Sequence, residues 1–459
     1  MIFKYLGLGD QGAFRRTCKR LDFMVFDTFG KTYFTDMRLM LTFESLQIGY
    51  RISQSRLAPF VKVLILGNER LPRPPPLVIY TFHPDEEDIY CKQNADDNTF
   101  EWTGRDVELL ALVIRGLSSL HRYCVCIGNF RQTYRHEGMV DRPRSRGFRP
   151  ILVRTGNPAA EEGYTVSPMS VMEYDASIMA KLLAALQKAN RSPMELLVPK
   201  LPVLDSAYNI PPYLRLCYSK VLSELRFLQL CLRTQAEWVS ERRLVRQEGQ
   251  QAPCHTNTYH LRRFLSFCPK LQGLWLTWQA PPPYSPKGCF LQWLATPAPP
   301  SGPMEAVAAS ASPGSQRPAP IYSPVPLALP CLQDLRLANA TISTGTMLRL
   351  IKKLGPRLQA LVMDNVTLYN TTEDSNDPPP DDSVNPWSQC FLLLSSCVSD
   401  LFSYFFIRNL FFKLSNSPTR FYIRGPAPNG KILPISGWFR GSDIKQGLES
   451  LSDFTSQSG

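Results

Sequence analysis

The chain is 459 residues long, 44% apolar and 20% charged, so it can bury a large core and is excluded as a whole from the disordered class. Its net charge of +12 admits a nucleic-acid or anionic partner, but the arginines cluster in 131–149 (RQTYRHEGMVDRPRSRGFR) and at Arg242, Arg243 and Arg246, with no stacking aromatics or nucleic-acid motif, and read as solvated basic loops. The 12 cysteines contain no Cys-x-x-Cys pair and the 5 histidines stand at no zinc-finger spacing, so reduced thiols in a cytoplasmic or nuclear protein are expected, with no metal or other cofactor; Cys254 and His255 with His260 come nearest to a ligand cluster.

At the start of the chain, Ile2, Phe3 and Leu6 have the spacing of the last turn of an amphipathic helix. Asp10 is placed to cap a second helix, with Phe14, Cys18 (or Thr17) and Leu21 on one face and Arg15, Arg16, Lys19 and Arg20 on the other. Met24, Val25 and Phe26 begin a third apolar patch. Two short helices of this kind hold too little core to stand alone, so the unit must pack on a partner or on the first repeat. No apolar run of signal-peptide length accompanies Lys4 and Asp10.

Further along, short leucine-bearing segments recur. Leu332–Ile342 (LQDLRLANATI) and Leu358–Leu368 (LQALVMDNVTL) align without a gap, 26 residues apart. Leu271–Leu276 (LQGLWL), Leu225–Leu230 (LRFLQL) and Val61–Leu66 (VKVLIL) keep the same apolar-x-x-apolar-x-apolar skeleton. This is the strand portion of a leucine-rich repeat. Alternate residues such as Leu335 and Leu337 share one face, and one unit cannot cover that face alone, so units stack. Regular repeats carry asparagine or cysteine where this chain has Ala340 and Val366; Asn339 and Asn365 fall one place early, which speaks against a regular asparagine ladder. Cys124 and Cys126 alternate as same-face strand residues.

Helices are expected between the strands. Met347, Leu350, Ile351 and Leu354 form an i, i+3, i+4, i+7 stripe in Thr344–Leu354, stopped by Gly355-Pro356. Asn257–Cys268 behaves alike, and Ile178–Leu186 and Leu216–Leu222 are further candidates. Gln279–Pro330, rich in Pro, Ala and Ser, reads as a disordered insert, although Cys289–Leu294 keeps some apolar patterning. Tyr369–Pro386 reads as an acidic loop, as does the run Asp85–Asp88. The prolines at Arg73–Pro76 and Pro281–Pro283 read as stiff connectors.

Cys390–Phe412 is long enough to be weighed as a membrane span, but Asp400 sits mid-run, and a central charge costs about 2.5–3.5 kcal/mol on insertion. A buried helix plus strand fits it better, with a further repeat and retained non-coding sequence both left open. The tail from Arg424 holds a short helix candidate, Ser442–Leu451, followed by polar residues expected to fray.

With these residues in view, IFKYLGLGD followed by FRRTCKRL resembles the F-box of filamentous-fungal F-box proteins, whose Leu-Pro-x-Glu-Ile opening leads through an aspartate turn to a Thr-Cys-Lys-Arg-Leu helix. The continuation Phe29–Gly67 is similar to that family's passage into its first repeat, and Pro434–Leu451 has a comparable look. The opening itself is missing, the usual leucine after the turn aspartate is Gln11, and Gly12 weakens the helix by roughly 1 kcal/mol relative to alanine. The resemblance implies docking on the adaptor subunit of an SCF ubiquitin ligase, and through it on cullin, by Leu6, Leu8, Phe14, Cys18 and Leu21. The repeats would then present an unknown protein substrate. A truncated F-box would instead leave an interaction scaffold without ligase coupling.

No phosphate loop, nucleophile elbow or His-Glu-x-x-His stands in the chain, so a non-catalytic recognition subunit is expected, binding neither nucleic acid nor membrane. The expected fold class is α/β: an irregular leucine-rich-repeat-like solenoid preceded by a short, N-terminally incomplete helical F-box. The segments are 1–28 (partial F-box), 29–70 (linker helix and first strand), 71–278 (repeats with a basic loop at 128–150), 279–330 (insert), 331–425 (repeats with the acidic loop 369–386) and 426–459 (tail).

Overall fold

The computed structural model describes residues 8–68, 84–126, 145–146, 168–198, 205–232, 258–278, 289–298, 326–369, 385–397, 402–413, 421–422, 424–426, 432–434, 436–440 and 443–457. The fold is mixed α/β, built on parallel strands with 12 α-helices among the described residues. The chain divides into two compact units, Met1–Ala207 with Pro211–Leu225, and Tyr208–Ile210 with Arg226–Gly459.

In the first unit, β1 (Asp36–Leu39), β2 (Val63–Gly67), β3 (Arg122–Cys126) and β4 (Glu195–Val198) lie side by side in chain order, each pair parallel. Such neighbours need crossovers, and helices fill them: α3 (Phe43–Ser53) after β1, α4 (Pro84–Trp102) and α5 (Arg105–Gly116) after β2, α6 (Pro168–Ala189) after β3 and α7 (Arg215–Leu222) after β4. They pack in the same order, α3 on α5, α5 on α6 and α6 on α7. Before them come α1 (Leu8–Thr17) and α2 (Lys19–Tyr33). The acidic run Asp85–Asp88 is not a loop but part of the opening of α4, after Pro84.

In the second unit, β5 (Phe227–Leu232), β6 (Gly273–Trp278), β7 (Asp334–Ala338), β9 (Ala360–Asp364) and β11 (Tyr404–Arg408) are again parallel neighbours in this order, and β16 (Ser436–Arg440) closes the edge antiparallel to β11. The helices α8 (Tyr259–Leu265), α9 (Cys289–Ala295), α10 (Thr344–Leu354), α11 (Pro386–Cys397) and α12 (Asp443–Gln457) belong to it, with α9 on α10, α10 on α11 and α11 on α12. A smaller sheet of β8 (Thr341–Ser343), β10 (Thr367–Tyr369), β12 (Phe411–Lys413) and β13 (Phe421–Tyr422) runs beside the main one. β14 (Arg424–Pro426) and β15 (Ile432–Pro434) form a separate hairpin pair.

The repeat skeleton carries the core. Leu335 and Leu337, Leu361 and Met363, Phe405 and Ile407 are buried on successive strands. The register Asp334↔Ala360 and Tyr404↔Ala360 makes Phe402–Phe412 a third copy of the unit at Leu332 and Leu358. The span 390–412 is therefore α11 followed by β11 and β12, and among the described residues no helix is long and apolar enough to cross a membrane.

Four other expectations change. Asparagines do form a ladder, shifted one place: Asn339, Asn365 and Asn409 all adopt positive φ (54°, 55° and 52°) at the corner between a long strand and its short successor. Part of the Pro-rich insert is core, since α9 buries Phe290, Leu291, Trp293 and Leu294. The tail does not fray after Leu451; α12 runs to Gln457, buries Ile444 and Leu448, and Ser452 Oγ donates to the Ser388 carbonyl at 3.0 Å. Of the basic loop, Ser145 and Arg146 are packed rather than solvated. Arg146 bridges to the free edge of β1, donates from Nη2 to the Tyr33 carbonyl at 3.0 Å, and lies 4.4 Å from the Phe34 ring centroid. Residues 73–76, 242–246, 254–255, 281–283 and 370–384 lie outside the described residues.

Candidate functional site

The helical pair α1–α2 breaks where a continuous helix through Leu21 was expected. Asp10 is not a cap but lies in the first turn of α1. The backbone turns extended at Cys18 (φ −159°, ψ 157°), and its Sγ accepts the Leu21 N–H at 3.4 Å, so Cys18 is the N-cap of α2. A cysteine is a weak acceptor in that role, which hides the break from a pattern search.

The inward face of α2 is set by Asp22, Phe26, Phe29 and Tyr33. Arg15, expected on the solvated face of α1, points inward instead. Its Nε donates to Asp22 Oδ1 at 2.7 Å, and its guanidinium carbon sits 3.9 Å from the Phe29 ring centroid and 5.0 Å from that of Phe26. Arg56, beyond α3, closes on the same carboxylate and stacks 3.9 Å from the Phe26 centroid, so two guanidinium groups share one ring. Hydrogen bonding from Arg56, joined by Arg15, holds the Asp22 carboxyl below the usual carboxylate range against the opposing effect of burial.

Phe26 also meets Phe60 edge-on, with centroids 5.6 Å apart. These contacts fasten the helical pair to the first strand–helix unit, and Arg146 ties the end of α2 to the edge of β1 from the other side.

The outward face is different. Phe23 is 83% exposed and Met24 67% exposed, among the most open large apolar side chains described. Arg16, Lys19 and Arg20 are exposed around them. Of the residues assigned to adaptor contact, Cys18 is exposed at the helix junction, Phe14 and Leu21 are half-buried, Leu8 opens α1, and Leu6 lies outside the described residues. The sequence reading missed Phe23. Its signal was the inward stripe Asp22, Phe26, Phe29 and Tyr33, which leaves Met24 on the opposite side of a 3.6-residue helix and Phe23 at the stripe's margin.

Among the described residues no group of three or more His, Cys, Asp or Glu side chains could hold a metal ion. Cys268 and Cys390 are buried in apolar surroundings that push their thiols well above the ordinary value, and Cys231 is pushed up to about 12, which leaves them inert as nucleophiles at neutral pH. Exposed apolar side chains ringed by cationic ones can form a contact surface. No protein-family model matches the chain, and a search of curated proteins returns no relative.

Proposed function

We propose that the chain is a substrate-recognition subunit of an SCF-type ubiquitin ligase, in which α1–α2 docks on the adaptor subunit and a leucine-rich-repeat-like solenoid holds a protein substrate. The solenoid reading is supported by parallel strands that neighbour in chain order within each unit, a helix in each crossover, and the recurring left-handed asparagine after β7, β9 and β11. The docking reading rests on one observation: a short helical pair that is clamped through Arg56 and Phe60 to the first strand–helix repeat yet leaves Phe23 and Met24 exposed. Such a subunit makes no bond itself. It works by proximity, in the cytoplasm or nucleus, bringing a substrate to the conjugating enzyme carried by cullin.

Burying two large apolar side chains contributes about 1.5–3 kcal/mol each, so together they account for roughly two to four orders of magnitude in affinity. The test is co-purification of the full chain with a recombinant adaptor subunit, followed by titration. Micromolar or tighter binding that Phe23→Asp with Met24→Asp abolishes supports the reading. Absence of binding at micromolar concentration removes the ligase and leaves an interaction scaffold.

A further inference from the structure

The exposed side of α1–α2 carries charge as well as apolar surface, and the two are sorted along it. Arg16, Thr17, Cys18, Lys19 and Arg20 are exposed in succession around the turn between the helices. Phe23 and Met24 follow one turn on. Lys19 with Phe23, and Arg20 with Met24, are i, i+4 neighbours on α2, and Arg20 with Phe23 are i, i+3 neighbours. Beyond them Asp27 and Lys31 end the exposed strip as an ion pair of 2.7 Å.

The carboxylates beside this strip are taken. Asp22 is held by Arg15 and Arg56, and Asp27 by Lys31. Asp10 lies roughly two helical turns before Arg16. Among the described residues Arg16 makes one hydrogen bond, from Nε to the Gly12 carbonyl at 3.3 Å, and no ion pair, while the Lys19 and Arg20 side chains bond to nothing. These cations repel one another, and Lys19 and Arg20 stand in the first turn of α2, beside the positive end of its dipole. An anionic surface brought against them relieves both effects.

A phosphate backbone would match the cations but gives Phe23 and Met24 no apolar seat. A lipid surface calls for a broad apolar helix face, whereas α2 turns Phe26 and Phe29 inward onto Phe60 and Arg15. A folded protein supplies both requirements. We propose that the partner surface docked by α1–α2 is acidic, with carboxylates set to meet Arg16, Lys19 and Arg20 beside an apolar pocket for Phe23 and Met24. The proposal rests on the reading of α1–α2 as the docking pair and names the chemistry of what it meets. Charges at the rim of such a contact steer encounter and set its salt dependence, whereas the buried apolar side chains set dissociation.

The test is association and dissociation kinetics of the full chain on immobilised recombinant adaptor subunit over a series of salt concentrations. The parent's association rate should fall as salt rises. Arg16→Gln with Lys19→Gln and Arg20→Gln should slow association about tenfold to a hundredfold at low salt and flatten the salt dependence, with dissociation close to the parent's. Arg16→Lys with Arg20→Lys keeps the charge and should keep the rate. Phe23→Ala should do the reverse, speeding dissociation with little change in association. The glutamine variant should melt at or above the parent's temperature, because it removes cations from the positive end of a helix.

Adaptor binding that Phe23→Ala weakens, but that is indifferent to salt and to the glutamine variant, overturns the proposal and leaves the docking reading standing. No adaptor binding at all overturns both. A glutamine variant that melts well below the parent assigns these cations to the fold and overturns the proposal. So does tighter charge-dependent binding to phosphatidylserine vesicles or to a single-stranded oligonucleotide than to the adaptor.

Discussion

Asn365 Nδ2 donates to Asn339 Oδ1 at 2.6 Å, linking the corners of two consecutive strand units, and Asn339 Nδ2 in turn donates to the Trp278 carbonyl at 3.0 Å. Both residues sit at positive φ, a region asparagine tolerates because its short side chain bonds locally. The side chain thus does two jobs. It permits the turn from β9 into β10 and it bonds one corner to the next.

Separating those two jobs is a stability experiment. Asn365→Gly keeps the left-handed turn and loses the bond, costing about 1 kcal/mol. Asn365→Ala loses the bond and forces a Cβ-bearing residue without local bonding into that region, adding roughly another 1–2 kcal/mol. Urea unfolding followed by hydrogen exchange over β9 and β10 should rank parent, Gly, Ala in falling order. Alanine equal to or better than glycine would show that the corner conformation is not what the asparagine supplies.

Much of this unit was legible in the sequence and some was not, for identifiable reasons. Thr344–Leu354 was readable to the residue because its apolar stripe and its Gly-Pro stop agree. The corner asparagines were visible, but comparison with regular repeats made their offset look like a defect; only backbone φ shows that the offset residue is the one turning the chain. The third repeat was obscured because phenylalanines replace leucines at Phe402 and Phe405 and a serine-rich helix precedes them. Phe23 was missed for the opposite reason: an apolar residue one step off the inward stripe looks like core until the stripe's phase is fixed.

Gly30 lies inside α2, where glycine ordinarily costs about 1 kcal/mol relative to alanine. Here the substitution should destabilise. A Cβ at this position would fall 2.5 Å from Cδ2 of Phe60, the ring that also meets Phe26. Gly30→Ala therefore pushes α2 off the first unit or displaces Phe60, at a cost of roughly 1–3 kcal/mol. Combined with Phe60→Ala, the glycine substitution should cost much less than it does alone, a coupling read directly from a double-mutant cycle of melting or urea data. Additive effects would mean that the helix and the ring are not in contact.

Lys181 Nζ on α6 lies 2.7 Å from Glu101 Oε1 and 2.8 Å from Asp106 Oδ2, and the Asp106 side chain is 1% exposed. The pair joins α6 to α4 and α5 beneath the surface. Removing the cation alone should be severe: Lys181→Met strands a buried carboxylate and should cost about 3–5 kcal/mol. Lys181→Met with Asp106→Leu should recover most of that loss, because an apolar pair of similar size needs no compensation. Equal instability of the single and double variants in denaturant titrations would point to packing, not charge, as the source.

Lys353 on α10 reaches the last turn of α9, where Nζ donates to the Leu294 carbonyl at 2.7 Å and the Thr296 carbonyl at 2.6 Å. Carbonyls at the negative end of a helix favour an ammonium, yet burial prevails and lowers its pKa to about 8. The unfolded chain keeps the ordinary value of 10.5. Between these two values the unfolded chain holds a proton that the folded chain has released, so this lysine's contribution to stability rises with pH across that window and is flat below it. The remaining titrations of the chain overlay that slope, so the informative quantity is the difference in unfolding free energy between the parent and Lys353→Met, which keeps the stem and drops the charge. That difference should move in the parent's favour from pH 7.5 to pH 10, values chosen around the pKa of about 8. Competitive labelling of amines as a function of pH should place the Lys353 midpoint near the same value. A difference that stays constant, or one that shrinks as pH rises, would show that the carbonyl bonds outweigh burial and that Lys353 stays charged through the range.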